Sequence, residues 1–98
     1  MDLRHLQTFK VIAEEGSFVQ AAERLQYAQS TLTLQIQQLE AELGVELFDR
    51  QRRKIQLTAA GHTLFIHTQH VLNQVEQMQQ DLSDLAAGEG CVAKIVRD

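Results

Sequence analysis

SFVQAAERLQYAQSTLTLQIQQLEAEL, Ser17 to Leu43, reads as two short helices joined by a tight turn. Ser17 and Gln20 form an S-x-x-Q capping box, in which a hydroxyl and an amide satisfy the free N–H groups that open a helix, so a helix starts near Phe18. Ala21, Ala22 and Leu25 give it a small, flat inner face that lets a second helix cross closely. After Gln26 and Tyr27 the apolar pattern restarts with Leu32, Ile36, Leu39 and Leu43, a single helical stripe that must face a core.

At roughly 100° of rotation per residue, Ser30, Thr33, Leu34 and Gln37 point away from that stripe, with Thr31 and Gln38 on one flank and Gln29 on the other. Small, polar and amide side chains suit the major groove, where Gln pairs with adenine and Thr or Leu touches a thymine methyl. Two short helices alone are equally consistent with a plain solvated face.

The next segment favours nucleic acid. Gly44 caps the second helix, and Val-Glu-Leu-Phe-Asp leads into Arg50, Gln51, Arg52, Arg53 and Lys54, then Ile55, Gln56 and Leu57. Apolar segments flanking a basic tip predict a short β-hairpin wing whose cations track phosphates. A basic turn in isolation is usually just solvated, but here it follows directly on a helix-turn-helix.

On the N-terminal side, Asp2 caps a first helix with inner positions Leu3, Leu6, Phe9 and Ile12, ending near Gly16. Beyond the wing, Thr58 caps a long helix running to about Ala87, where Gly88 and Gly90 stop it. About thirty residues make roughly 45 Å of helix, more than a small domain needs. Along it Val71, Val75, Met78, Leu82 and Leu85 recur as the a/d seam of a coiled coil, and Leu64 continues the stripe upstream. Phe65 and Leu72 form a second stripe about 100° round, which packs on the chain's own domain. Too few other apolar elements exist to cover the first stripe, so dimerisation is the expected use of it. Two reading heads on one duplex imply a pseudo-palindromic site.

Several ordered blocks make the chain resemble the N-terminal part of LysR-type transcriptional regulators over residues 1 to about 90. They are DLRHLQTF (2 to 9), EGSF (15 to 18), AAERL (21 to 25), AQSTLT (28 to 33), QIQQLEAELG (35 to 44), LFDR (47 to 50) and LTAAG (57 to 61). The resemblance implies a winged helix-turn-helix that binds DNA as a dimer through antiparallel linker helices. It also implies base- and phosphate-contacting roles for Gln29, Ser30, Thr33, Leu34, Arg50 and Arg53. The chain departs from the family at three places. Ala28 replaces the usual capping Ser, which leaves Gln29 or Ser30 to substitute; Ser30 stands where Pro is common; and Leu34 and Gln37 stand where Arg or Lys is common. A reading helix without a cation cannot make the Arg-to-guanine contact, so Gln29, Thr33, Leu34, Gln35 and Gln37 predict half-sites rich in A and T.

The expected fold is therefore mainly α: three helices and a hairpin wing in residues 1–58, with the helix-turn-helix at about 18–37, then a dimerising linker helix over 59–87. Residues 88–98 are either the start of a further domain or an unfolded end. The family's two-lobed inducer-binding domain is not represented, so a fragment and a naturally short relative both fit, and no cofactor is expected in this chain.

With 98 residues and 44% hydrophobic content the chain holds one small core. The net charge of −4 runs against DNA binding, since most such domains are basic. The distribution weakens the objection. Residues 1–61 carry seven Lys and Arg against eight Asp and Glu, with four of the cations at the wing, whereas residues 62–98 carry two against five. Clustering sets the field at phosphates within a Debye length of about 8–10 Å, so binding is expected to be modest and strongly salt dependent. An adaptor module with weak or no DNA affinity is the competing reading. Without long apolar runs or a leader segment, the expected setting is bacterial cytoplasm, at the nucleoid and away from membranes.

Other chemistry is thin. His62 and His67 fall on nearly opposite sides of the long helix, and only His67 and His70 share a face, without Asp, Glu or Cys beside them, so a metal site is not expected. His5 reads as a surface residue. Cys91 is the only cysteine, which excludes an internal disulfide and reads as an inert thiol. Nothing in the chain resembles a catalytic triad, a carboxylate pair or a phosphate-binding glycine loop, and no enzymatic activity is expected.

Overall fold

A computed structural model describes residues 1–51 and 54–87. In chain order it contains α1 (Leu3–Glu15), α2 (Phe18–Leu25), α3 (Gln29–Leu43), β1 (Phe48–Asp49), β2 (Gln56–Leu57) and α4 (Ala59–Ala87). The mainly helical architecture with a hairpin wing is the one expected. The tail, with Gly88, Gly90 and Cys91, lies outside the described residues.

α1 is the central element, packed against α2, α3 and α4. Asp2 caps it by accepting the Arg4 N–H at 2.9 Å, and Gly16 ends it at φ 68°, donating its N–H to the Ile12 carbonyl. Contact on three sides explains why Thr8 and Val11 are buried along with Leu6, Phe9 and Ile12, where a single stripe predicted only part of this set. Leu3 departs from expectation. It is 45% exposed, because the first turn of α1 projects beside the end of α3 and the described residues leave it partly uncovered. His5 is also not a simple surface residue: it is half-buried, and its Nδ1 finds no hydrogen-bond partner among the described residues.

The Ser17 hydroxyl accepts the Gln20 N–H at 3.2 Å and opens α2, whose Ala21 and Ala22 are buried against the neighbouring helices. Arg24 ties the outer side of α2 to the end of α1 through Glu14 and Glu15, at 2.9 and 3.1 Å. The turn into α3 is made by Gln26 in the left-handed region, at φ 60°. Its N–H donates to the Ala22 and Glu23 carbonyls, and the Tyr27 N–H also donates to Ala22. A side chain at this position costs about 1–2 kcal/mol that glycine would not.

α3 begins without a side-chain cap; the Ala28 carbonyl accepts the Thr31 and Leu32 N–H groups, and neither Gln29 nor Ser30 substitutes for the missing hydroxyl. Leu32, Ile36 and Leu39 are fully buried. Leu43, expected in the same stripe, is 36% exposed because the last turn of α3 runs past the end of the core. Gly44 then ends α3 at φ 72°, and the Glu40 carboxylate accepts the Leu47 N–H at 2.8 Å, turning the chain into the wing.

β1 and β2 pair antiparallel, Phe48 opposite Leu57 and Asp49 opposite Gln56. Phe48 anchors the hairpin by lying between Phe9 of α1 and Phe18 of α2, with ring centroids 5.4 and 5.8 Å apart. Thr58 fixes the start of α4 to the segment entering β1. Its hydroxyl accepts the Gly61 N–H and donates to the Glu46 carbonyl, while its N–H donates to the Leu47 carbonyl at 3.0 Å.

The first half of α4 packs through Gly61, Phe65, Thr68 and Leu72, which includes the second stripe read from the sequence. Leu64 does not continue the seam as expected: it is half-buried and packs against the core of its own domain, because this turn of α4 still lies over the wing and α1. Val75 marks the boundary, half-buried beside Leu72, Val11 and Leu25. Val71, Met78 and Leu82 remain open to solvent, Met78 and Leu82 more than half exposed, and Leu85 is half-buried. No described helix is long and apolar enough to cross a membrane.

Candidate nucleic-acid interface

α3 turns its buried stripe inward and leaves Gln29, Ser30, Thr31, Leu34, Gln37 and Gln38 exposed. Leu34, 55% exposed, stands in the middle of this face. Thr33 is half-buried, and its hydroxyl donates back to the Gln29 carbonyl at 3.2 Å, which leaves its methyl and the acceptor side of the hydroxyl to meet a ligand.

Gln35 does not belong with them. Its side-chain oxygen accepts the hydroxyl of Thr8, so the amide is turned into the joint between α1 and α3. The helical wheel carries the reason, since Gln35 lies only about 60° from Leu32 and on the inner side of the helix. Its side-chain oxygen joins α3 to α1.

The wing base meets the start of α3. Gln29 and Thr33, the α1–α2 turn from Glu15 to Gln20, and Arg50, Lys54 and Ile55 line one open depression, in which the single acid, Glu15, is paired with Arg24. Two helices open on this depression with their N-terminal turns, whose free N–H groups and partial positive charge favour anions. The Arg50 guanidinium lies 5.3 Å above the Phe18 ring, a contact that holds the cation against the α2 start at a modest gain of about 0.5–1 kcal/mol. Arg52 and Arg53, at the predicted tip, lie outside the described residues.

Charge is partitioned accordingly. Arg4, Lys10 and Arg24 are each paired with carboxylates on the body of the domain, whereas the ion pairs among the described residues leave out Arg50 and Lys54. Hydrogen bonds to Glu14 and Glu15 raise the Arg24 pKa further above its ordinary value, and both carboxylates belong to the end of α1. The described cations free to meet phosphate are thus the ones beside α3.

The contribution of the α2 start was not read from the sequence. Its signal was present in the Ser17 cap, which fixes a helix N-terminus, but that this terminus faces the wing follows only from the crossing of α2 on α1. Tyr27, half-exposed in the turn before α3, was likewise given no role. Among the described residues no three His, Cys, Asp or Glu side chains come together as a metal site.

A helix-turn-helix with a hairpin wing and one cationic surface defines a winged-helix nucleic-acid-binding class. Residues 3–62 match the family model described as bacterial regulatory helix-turn-helix protein, lysR family, and the chain belongs to that family. It is a family of transcriptional regulators rather than enzymes. The HTH-type transcriptional regulator YtlI of Bacillus subtilis is 42% identical over 95 residues, covering 97% of this chain and 30% of the relative. The chain therefore spans less than a third of that protein's length. Among solved structures, the BenM_DBD/catB site 1 DNA complex superimposes with a TM-score of 0.88 at 40% identity, covering 91% of this chain and 99% of the other. The CbnR_DBD-DNA complex gives 0.78 at 41% identity, with 89% and 99% covered. BenM of Acinetobacter baylyi is 40% identical over 89 residues, 91% of this chain and 29% of that relative.

Proposed function

We propose that this chain is the DNA-binding part of a LysR-type transcriptional regulator, reading double-stranded DNA as a homodimer. The exposed face of α3, through Gln29, Ser30, Thr31, Thr33, Leu34 and Gln37, enters the major groove. Arg50 and Lys54, with Arg52 and Arg53, hold the phosphates, and the seam around Val71, Met78, Leu82 and Leu85 of α4 pairs two copies on a pseudo-palindromic site. The observation that carries this reading is the convergence of the α2 and α3 N-terminal turns with Arg50 and Lys54 on one surface. The likeness to two domains solved in complex with DNA supports it. No cofactor held by this chain is needed, and bacterial cytoplasm is the setting the reading implies.

Fluorescence anisotropy with a labelled duplex, titrated across salt concentration, tests it. DNA binding requires log affinity to fall linearly with log salt, with a slope of about −0.9 per phosphate neutralised. Arg50→Gln is expected to make the slope shallower by about 1. An absence of binding at low salt would instead favour an adaptor module, the reading that the acidic net charge and the lack of Lys and Arg in α3 suggest.

A further inference from the structure

α3, Gln-Ser-Thr-Leu-Thr-Leu-Gln-Ile-Gln-Gln-Leu-Glu-Ala-Glu-Leu, contains no Lys or Arg, and its exposed face carries an apolar side chain, Leu34. Leu34 is 55% exposed, far more open than the fully buried Leu32, Ile36 and Leu39 of the same helix. It touches no core and so carries no evident folding role. Its exposed neighbours Ser30 and Gln37 lie one turn to either side, and both can hydrogen-bond a base edge. An exposed leucine between two polar readers has a specific complement in a duplex. In unmodified DNA the one apolar group on the major-groove edge of a base pair is the 5-methyl of thymine.

We propose that Leu34 is a specificity-determining residue that packs on a thymine 5-methyl group at one position of each half-site. The proposal rests on α3 being the groove-entering helix. Leu34 excludes the charged contact to guanine that a cation at this position would make, and it rewards thymine by removing two apolar surfaces from water. The effect is modest because a single methyl is at stake: about 0.8 kcal/mol, or roughly fourfold in affinity.

The test uses a duplex chosen by the protein from a randomised library, in which each half-site thymine is replaced in turn by deoxyuridine. That exchange deletes only the methyl and leaves every hydrogen-bonding group in place. One position in each half-site is expected to lose about fourfold in affinity with the wild-type chain and to lose nothing with Leu34→Ala. Because Leu34 is exposed, the variant is expected to keep the wild-type far-UV circular dichroism. Uniform indifference to deoxyuridine, or a penalty that persists in Leu34→Ala, overturns the assignment of Leu34 while leaving DNA binding intact. Failure to bind any library duplex at low salt overturns the underlying reading of α3 instead.

Discussion

Replacing Gly61 by alanine sets two effects of opposite sign against each other. Gly61 sits in the first turn of α4, where alanine is worth about 1 kcal/mol more than glycine by helix propensity alone. A Cβ at this position, however, would lie 2.2 Å from the Leu47 carbonyl oxygen and 2.9 Å from Leu57 Cδ2, whereas ordinary contact begins at 3.4 Å. The helix start and the strand must separate by about 1 Å to restore contact distance. That carbonyl already accepts the Thr58 N–H at 3.0 Å, so the retreat strains or breaks a backbone bond worth about 1 kcal/mol. Overpacking of this kind costs about 1–3 kcal/mol. The clash and the strained bond outweigh the propensity gain, and Gly61→Ala is expected to destabilise the fold by about 2 kcal/mol, lowering Tm by about 10 °C. Thermal and urea unfolding followed by circular dichroism, at one fixed protein concentration, read the sign directly. A Tm raised by about 4–8 °C, as propensity alone requires, would refute the close approach of α4 to the wing.

Met78→Asp with Leu82→Asp, both exposed on the free half of α4, is expected to give a folded monomer that loses tight binding to a two-half-site duplex; a pair that remains dimeric in sedimentation would remove the seam from consideration. Val75 is unsuited to that experiment, because its half-buried position beside Leu72 would confuse unfolding with dissociation. Gln26→Gly is expected to raise stability by up to about 1 kcal/mol, since the left-handed turn no longer strains a side chain; a lower urea midpoint would show that other contacts of Gln26 outweigh the strain. Asp2 supplies a pH signature. Its hydrogen bonds with Arg4, from side chain first and backbone second, lower its pKa from 3.8 to about 2. A depressed folded-state value stabilises the fold above the unfolded pKa and ceases to do so as pH falls through the folded one. The stability difference between wild type and Asp2→Asn, measured as Tm, is therefore expected to be constant at pH 5 to 7 and to shrink between about pH 4 and pH 2; a difference independent of pH would mean the cap acts without its charge.

Local patterns determined the elements. Ser17, Asp2 and Thr58 each carry a side-chain oxygen that binds N–H groups only a few residues ahead, and Gly16 and Gly44 supply the left-handed backbone on which a helix ends. Such signals act within one turn of chain, so they are legible without knowing the fold. The inward stripe Leu32, Ile36 and Leu39 and the basic run at Arg50 to Lys54 are legible for the same reason.

What failed to be legible was everything that depends on where a neighbouring element stops. Leu3 and Leu43 have the right phase to be buried and are not, because α1 and α3 project past their neighbours at that end. Leu64 has the right phase for the dimer seam and is spent on its own core, because α4 lies on the domain through its first half. Gln35 looks like one more amide available for reading bases until α1 brings Thr8 up to it. The sequence by itself determined helix identity, the winged pattern and the family blocks, since these are written in short-range chemistry and periodicity. Only the tertiary structure decided which exposed side chains share a surface: Gln29, Thr33, Arg50 and Lys54 are up to 25 positions apart and meet because α2 crosses α1 and Phe48 pins the wing beside them. Burial and proximity are properties of the packed whole, and no single stretch of chain encodes them.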